Sequence, residues 1–394
     1  MTTALQDVRV LDLSRFIAGP TCAMLLGDMG ADVIKVEKPG GEEARQNAPF
    51  ANGHSLYTMT FNRNKRAVTV DPRKPGGRDV LGRLADWADV VVENYRPGTL
   101  EQMGLGYEAL RRRDEGVIVT SISGFGQTGP FRDRAVFDPV AQAMSGLMYR
   151  NGDEDDPPMF AGVFIADYLA GVFAAFGTVL ALLHRERTGQ GQVVDLALLD
   201  ALFSIMGIQT AAWLLNGERM PRTRNRDLYT APANVFPARD GYVYLHGGTQ
   251  ALFERLVSAM DRRDLLDDPR YATQAGRMDH VDELEELVAG WVGAQTVAEV
   301  CDRLEAAGIP YGPVDDVDAA VRNPQLRARE MIAEIEHREA GRVVVPGVVT
   351  KLSETPGAVR LPPPVVGQDN QEVLCGVLGL TAAEVAELQA EGAV

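Results

Sequence analysis

The stretch VRVLDLSRFIAGPTCAMLLGDMGADVIKVE, residues 8–37, decides the fold class. Val8–Leu13 is apolar and β-branched enough for a buried strand, and Asp32–Glu37 repeats the pattern. Between them, Ser14–Gly19 reads as a loop and Pro20–Met29 as a helix with proline in its first turn. A linker of about 20 residues suits a parallel crossover and is too long for a hairpin. The same alternation continues outward. Strands are expected at Ala67–Val70, Val90–Val92 and Val117–Ser121, and a helix at Gly76–Trp87 from the spacing of Val80, Leu81, Leu84 and Trp87. Alternating strands and helices predict an α/β domain with a mostly parallel sheet.

Residues 160–215 change character. AGVFIADYLAGVFAAFGTVLALLHRERTG runs from an acidic start to a basic end and stops at Gly189, as a long helix should. Small residues at Ala170/Ala174, Gly171/Ala175 and Gly177/Ala181 recur every fourth position and predict a face that another helix or a ligand approaches closely. A second helix over roughly 196–214 is expected, capped by Asp195. The Arg-rich, aperiodic 217–230 reads as a linker between a large region, 1–216, and a smaller domain, 231–325. That smaller domain opens with a hairpin turning near Asp240-Gly241. Residues 326–394 carry a hairpin turning at Ala340-Gly341 and end in helices, the last with a Thr381–Glu384 capping box.

Composition narrows the function. The 394 residues are 45% hydrophobic and 24% charged with a net charge of −16, which argues against a nucleic-acid partner. Residues 1–100 hold 13 Lys/Arg against 12 Asp/Glu, so the deficit lies downstream, and the N-terminal part could accept an anionic ligand. Three distant cysteines (Cys22, Cys301, Cys375) form no framework and suggest a reducing compartment. With no basic-then-apolar leader and no long uninterrupted apolar run, a cytoplasmic protein away from membranes is expected. The five histidines have no metal-ligand spacing. Gly124, Gly126 and Gly129 fit G-x-G-x-x-G, but Pro-Phe-Arg-Asp-Arg follows where a dinucleotide site needs a helix to open.

One acidic residue stands out. Asp167 lies among Phe164, Ile165, Ala166, Leu169 and Ala170 at the start of the long apolar helix. Either it caps that helix, or it is a nucleophilic carboxylate kept ionised by the helix dipole.

Seven segments in order, LDLSRFIAGPTCAMLLGDMGADVIKVEKPGG, FNRNKRAVTVD, VVENYRPGTLEQMGLGYEAL, SISGFGQTGP, FDPVAQAMSGLM, FIADYLAGVFAAFG and RTGQGQVVDLALLDA, resemble the family III CoA-transferases (formyl-CoA transferase, CaiB/BaiF type). The resemblance covers nearly the whole chain and absorbs the GFGQTG match. It implies a Rossmann-like large domain, a smaller α+β domain reached by two linkers, a C-terminal return to the large domain, and two interlocked subunits in a homodimer. It implies acyl-CoA and a small carboxylic acid as substrates, with no metal. The implied nucleophile is Asp167, and the acid at Asp138 and the glycines Gly247 and Gly248 join it, the glycines as a loop covering the intermediate. The implied CoA contacts are Ile17, Ala18, Lys38, Arg73, Asn94, Tyr95, Gln102 and Met103. Lys38 keeps the charge of an arginine common there, and Gln102 loses it. Related α-methylacyl-CoA racemases share the fold and set an alternative chemistry. The residue before Asp138 is Phe137 where a racemase has histidine, and Thr249 stands where it has glutamate, so the proton relay is missing. CoA transfer within one dicarboxylate, and a CoA-binding protein without catalysis, are the remaining alternatives.

Overall fold

The computed structural model describes residues 3–394. The chain divides into two compact units. The first comprises residues up to 148, 160–218 and 324–394; the second comprises 149–159 and 219–323.

The first unit is built on β1 (Arg9–Asp12), α1 (Ala18–Asp28), β2 (Asp32–Glu37), β3 (Lys65–Thr69), α2 (Pro75–Trp87), β4 (Val90–Glu93) and β5 (Ile118–Ser123). It continues through α3 (Asp138–Met144), α4 (Ile165–Thr188) and β6 (Val193–Ala197). The six strands form one sheet in the order β3-β2-β1-β4-β5-β6, every pair parallel. This is the doubly wound order, which reverses direction between β1 and β4. Helices cover both faces, so the central strands are apolar throughout: Val10, Leu11, Val90, Val91 and Val92 are buried. On one face α2 sets Val80, Leu81 and Leu84 against Leu11, Ile34, Val68 and Val91. On the other, α1 and α4 pack over Val10, Val33 and Ile118.

The small-residue face of α4 is buried as the spacing predicts: Ala166, Ala170, Gly171, Ala174, Ala175 and Ala181. A Cβ at Gly171 would lie 2.7 Å from both the Ala18 carbonyl oxygen and Thr21 Cβ, so only glycine lets α1 come this close. α4 is long and apolar enough to cross a bilayer; its small-residue face is packed within the sheet unit, while Val172, Phe173, Phe176, Leu180 and Leu183 are exposed. It ends at Gly189 in the left-handed region, φ 75°.

The helix expected at 196–214 needs correction. Asp195 is not its cap but sits within β6, whose VVDLA pattern pairs with β5. Its carboxylate accepts the Gln127 amide. Helix begins only at Leu198 and breaks into α5 (Leu198–Ser204) and α6 (Gly207–Asn216), bent by 73°.

In the second unit, β7 (Ala233–Pro237) and β8 (Tyr242–His246) form the hairpin around Asp240-Gly241. α7 (Gln250–Ala259) follows, and β9 (Tyr311–Pro313) pairs with β8. Phe236, Val243, Leu245, Leu256, Val292 and Leu304 make its core. Within 217–230, Arg222 is buried and donates to the carbonyls of Asn151, Asp156 and Pro157, which ties that segment into this unit.

The C-terminal residues belong to the first unit. They include the hairpin of β10 (Ile332–His337) and β11 (Gly341–Pro346). Asp369 and Asn370 then bond the backbone of Ala67 and Thr69, covering the edge strand β3. The last helix, α8 (Ala382–Glu391), carries the expected Thr381–Glu384 capping box.

Candidate active site

Parallel sheets of this order gather ligands at the carboxyl ends of their strands, where the order reverses. Here the chain leaves β1 through Leu13–Ile17 and leaves β4 through Asn94–Tyr95. The Asn94 side chain clasps the two exits: it accepts from the Arg15 amide at 2.8 Å and donates to the Arg15 carbonyl at 2.7 Å. The Arg15 guanidinium lies over the Tyr95 ring, 5.4 Å from its centre.

Beneath this crossing runs a buried polar network that sequence reading missed. Lys65 binds Asp12 at 2.7 Å, and Lys35 reaches the Ser14 carbonyl at 2.9 Å and Glu42 at 3.1 Å. Glu42 in turn accepts the Phe16 amide at 3.0 Å. Burial pushes the Asp12 carboxyl up, but the Lys65 and Lys35 charges outweigh it and leave its pKa below the usual range. The network holds Phe16 at φ 65°, a strained value for a bulky residue. Part of its sequence signal was visible: Asp12 and Lys35 interrupt otherwise apolar stretches, where charges survive only when paired, whereas Lys65 lies in a polar run and gave none.

Two recesses open here. One, of about 140 Å³, is a mainly apolar slot between Leu13, Val36, Val70, Leu81, Tyr95 and Met103. Lys38, Arg15 and Glu43 line it too, and both cations pair with Glu43, at 2.5 and 3.3 Å. Of the expected CoA contacts, Lys38, Tyr95 and Met103 line this slot. Arg73 is 83% exposed and held by Asp71, and Gln102 is exposed on a short helix lining neither recess. The second recess, about 350 Å³, contains Ala18, Asn94, Tyr95, Asp138 and Asp167. Ile17 is buried at the foot of α1. No side chain caps α1, and the Ile17, Ala18 and Gly19 amides find no acceptor among the described residues.

Asp167 is the third residue of α4, and Asp138 is the first of α3. Asp138 is 1% exposed; it accepts the Asp167 amide at 3.0 Å and is held by Gln142 at 2.5 Å. The acid that satisfies the first turn of α4 is therefore Asp138. The capping role expected as one reading of Asp167 falls away: its own carboxylate has no donor or cation beside it among the described residues. The expectation that the helix dipole keeps Asp167 ionised also needs correction. Burial, reinforced by the Asp138 charge, pushes its pKa up to about 7. Phe137 is exposed and meets Phe16 edge-on with ring centres 6.1 Å apart.

Gly247 and Gly248 lie in the second unit. The Gly247 amide donates to the Pro232 carbonyl at 2.8 Å, and a Cβ at Gly248 would collide with Thr230. The buried Arg277 donates to the Gly248 carbonyl at 2.9 Å and fixes the turn. Thr249 caps α7.

Comparison with known proteins agrees with this architecture. The family model described as CoA-transferase family III matches residues 5–370. The succinyl-CoA–D-citramalate CoA-transferase of Chloroflexus aurantiacus is 40% identical over 98% of this chain and 97% of its own length. The succinyl-CoA:glutarate CoA-transferase of Mus musculus is 35% identical over 99% and 90%. A CAIB/BAIF family crystal structure from Brucella suis superposes with a TM-score of 0.88 at 32% identity, covering 96% of this chain and all of that one. Whole-length matches to a single family, on a sheet whose reversal point opens into a cleft holding an unpaired carboxylate, leave one assignment: the chain belongs to CoA-transferase family III and is an enzyme that transfers CoA between an acyl-CoA and a carboxylate.

Proposed function

We propose that Asp167 is the covalent nucleophile and that the substrates are a dicarboxylyl-CoA such as succinyl-CoA and a second dicarboxylate. The observation that carries the first part is the unpartnered Asp167 carboxylate lining the cleft beside the exits of β1 and β4. The names of the two relatives above, each pairing succinyl-CoA with a second diacid, support the second.

In the deprotonated state Asp167 attacks the donor thioester carbonyl; the C–S bond breaks, giving a mixed anhydride and CoA thiolate. The thiolate attacks the aspartyl carbonyl, releasing the donor acid and leaving an aspartyl-CoA thioester. The acceptor carboxylate attacks that thioester, expelling thiolate and forming a second anhydride. Thiolate attack on its acyl carbonyl yields the new acyl-CoA and regenerates Asp167. Each step builds an oxyanion, and the amide of Ala18, a cleft residue at the foot of α1 with no acceptor among the described residues, is suited to receive it. The apolar slot bounded by Tyr95 and Met103, with Lys38 and Arg15 alongside, suits the nucleotide end of CoA. The exposed apolar face of α4, including Phe176 and Leu180, suits coverage by a second copy of the chain.

Donor acyl-CoA without acceptor should raise the protein mass by a CoA adduct on Asp167, trapped by hydroxylamine as a hydroxamate. Asp167→Ala should lose both signals and all transfer. An adduct elsewhere, or transfer by the Ala variant near the wild-type rate, would defeat the proposal. Phe137 and Thr249 offer no proton relay, so a 2-methylacyl-CoA in D₂O should gain no α-deuterium.

A further inference from the structure

Beyond Arg15, placed beside the nucleotide slot, the mechanism leaves the arginines of the cleft without a task. Asp167 and Asp138 already place two carboxyl groups there, and a dicarboxylate brings more negative charge into a partly desolvated space. Like charges gathered in such a cleft repel unless a cation receives the far end of the substrate. Arg15, Arg96, Arg132 and Arg134 line the same cleft. Arg15 is tied to Glu43 and Tyr95, beside the nucleotide slot, and Arg132 pairs with its neighbour Asp133 at 3.4 Å.

Neither Arg96 nor Arg134 has a carboxylate partner among the described residues, and Arg134 differs in being held by rings: its guanidinium lies 4.6 Å from the centre of the Phe131 ring and 5.7 Å from that of Phe125. Aromatic faces orient a guanidinium without using its N–H donors, so the two-pronged edge stays available. The loop bearing it is fixed. Gly126 takes φ 82°, the Gln127 amide donates to both Asp195 oxygens at 3.0 and 3.1 Å, and Gly124 is pressed against Val136. Every residue from Arg134 to Asp138 lines the cleft, and four residues of chain span at most about 14 Å. The hydroxyl of Ser123, a cleft residue at the end of β5, is buried with no hydrogen-bond partner, a second group that a bound acceptor oxygen could satisfy.

We infer that Arg134 grips the second carboxylate of the substrate and makes the enzyme select diacids over monoacids. This rests on the CoA-transfer reading above. A CoA phosphate shares the same oxyanion chemistry. The carboxylate is the better fit because Arg134 stands on the segment leading to Asp138, whereas Lys38 and Arg15 flank the nucleotide slot.

The test uses the full-length enzyme with Arg134→Gln and Arg134→Lys, succinyl-CoA as donor, and glutarate or valerate as acceptor. For Arg134→Gln, the glutarate-to-valerate ratio of kcat/KM should drop about 10- to 100-fold, the worth of a charged hydrogen-bonded pair. Arg134→Lys should recover part of it, and calorimetry should show free CoA binding as before. Equal losses on both acceptors with weakened CoA binding would assign Arg134 to a phosphate and overturn the inference. So would an unchanged ratio, or a wild type that uses valerate as well as glutarate. A wild type that transfers CoA to no acid would instead defeat the underlying reading.

Discussion

Replacing Asp167 by Asn should end CoA transfer while making the folded chain more stable, and the gain should grow with pH. Burial and the nearby Asp138 lift the Asp167 pKa to about 7, whereas an aspartate in the unfolded chain titrates near 3.9. The folded state therefore holds this proton more tightly than the unfolded state does. Stability falls as pH rises between those two values, and the loss is complete above about pH 7. At full value a displacement of this size corresponds to about 4 kcal/mol. Solvent reaching the half-buried carboxylate cuts that to about 1–2 kcal/mol. Asparagine keeps the shape and never ionises, so it should recover the whole amount at about pH 8.5 and about half at about pH 5.5. Urea unfolding of both proteins at the two pH values measures this directly. Equal stabilities throughout, or a less stable Asn variant at the higher pH, would refute the view of Asp167 as a carboxylate held at an energetic disadvantage for its chemistry.

The same displaced titration should appear in the kinetics. kcat/KM should climb as pH rises through about 7, because the nucleophile is the deprotonated form; a flat profile over that range would separate Asp167 ionisation from catalysis. Lys65→Met should cost about 3–5 kcal/mol in chemical unfolding by stranding the buried Asp12 charge, and adding Asp12→Asn should recover part of the loss. Gly171→Ala should destabilise by about 1–3 kcal/mol despite a better helix former, because its Cβ meets the Ala18 carbonyl and Thr21. Gly82→Ala on α2, with nothing near its Cβ, should instead stabilise by about 0.5–1 kcal/mol, and similar results for the two would deny close packing of α1 on α4.

Asp167 and its neighbours show why legibility was uneven. Its small flanking residues singled it out, and their four-residue spacing correctly announced the buried face of α4. Its protonation was misjudged because a helix dipole is a local property, whereas burial and the Asp138 charge come from α3, 29 residues away. Asp195 failed for a related reason: a polar residue before a helical pattern looks like a cap, yet pairing with β5 claimed it for a strand. Arg134 carried no signal at all, since one more arginine in a polar loop is unremarkable until two phenylalanines are seen to hold it.

What the sequence determined by itself was everything encoded by periodicity and short-range chemistry. That covers the alternation of strand and helix, the length and small-residue face of α4, the hairpin turns, the Thr381 capping box, and the ordered segments that mark the family. The tertiary structure alone decided which polar groups became partners. Asp12 and Lys65 lie 53 residues apart, and Arg15 and Asn94 lie 79 apart; each pair meets only because parallel crossovers return successive strands to one edge of the sheet. Electrostatic energy depends on distance and burial in space, and neither is written in the order of residues.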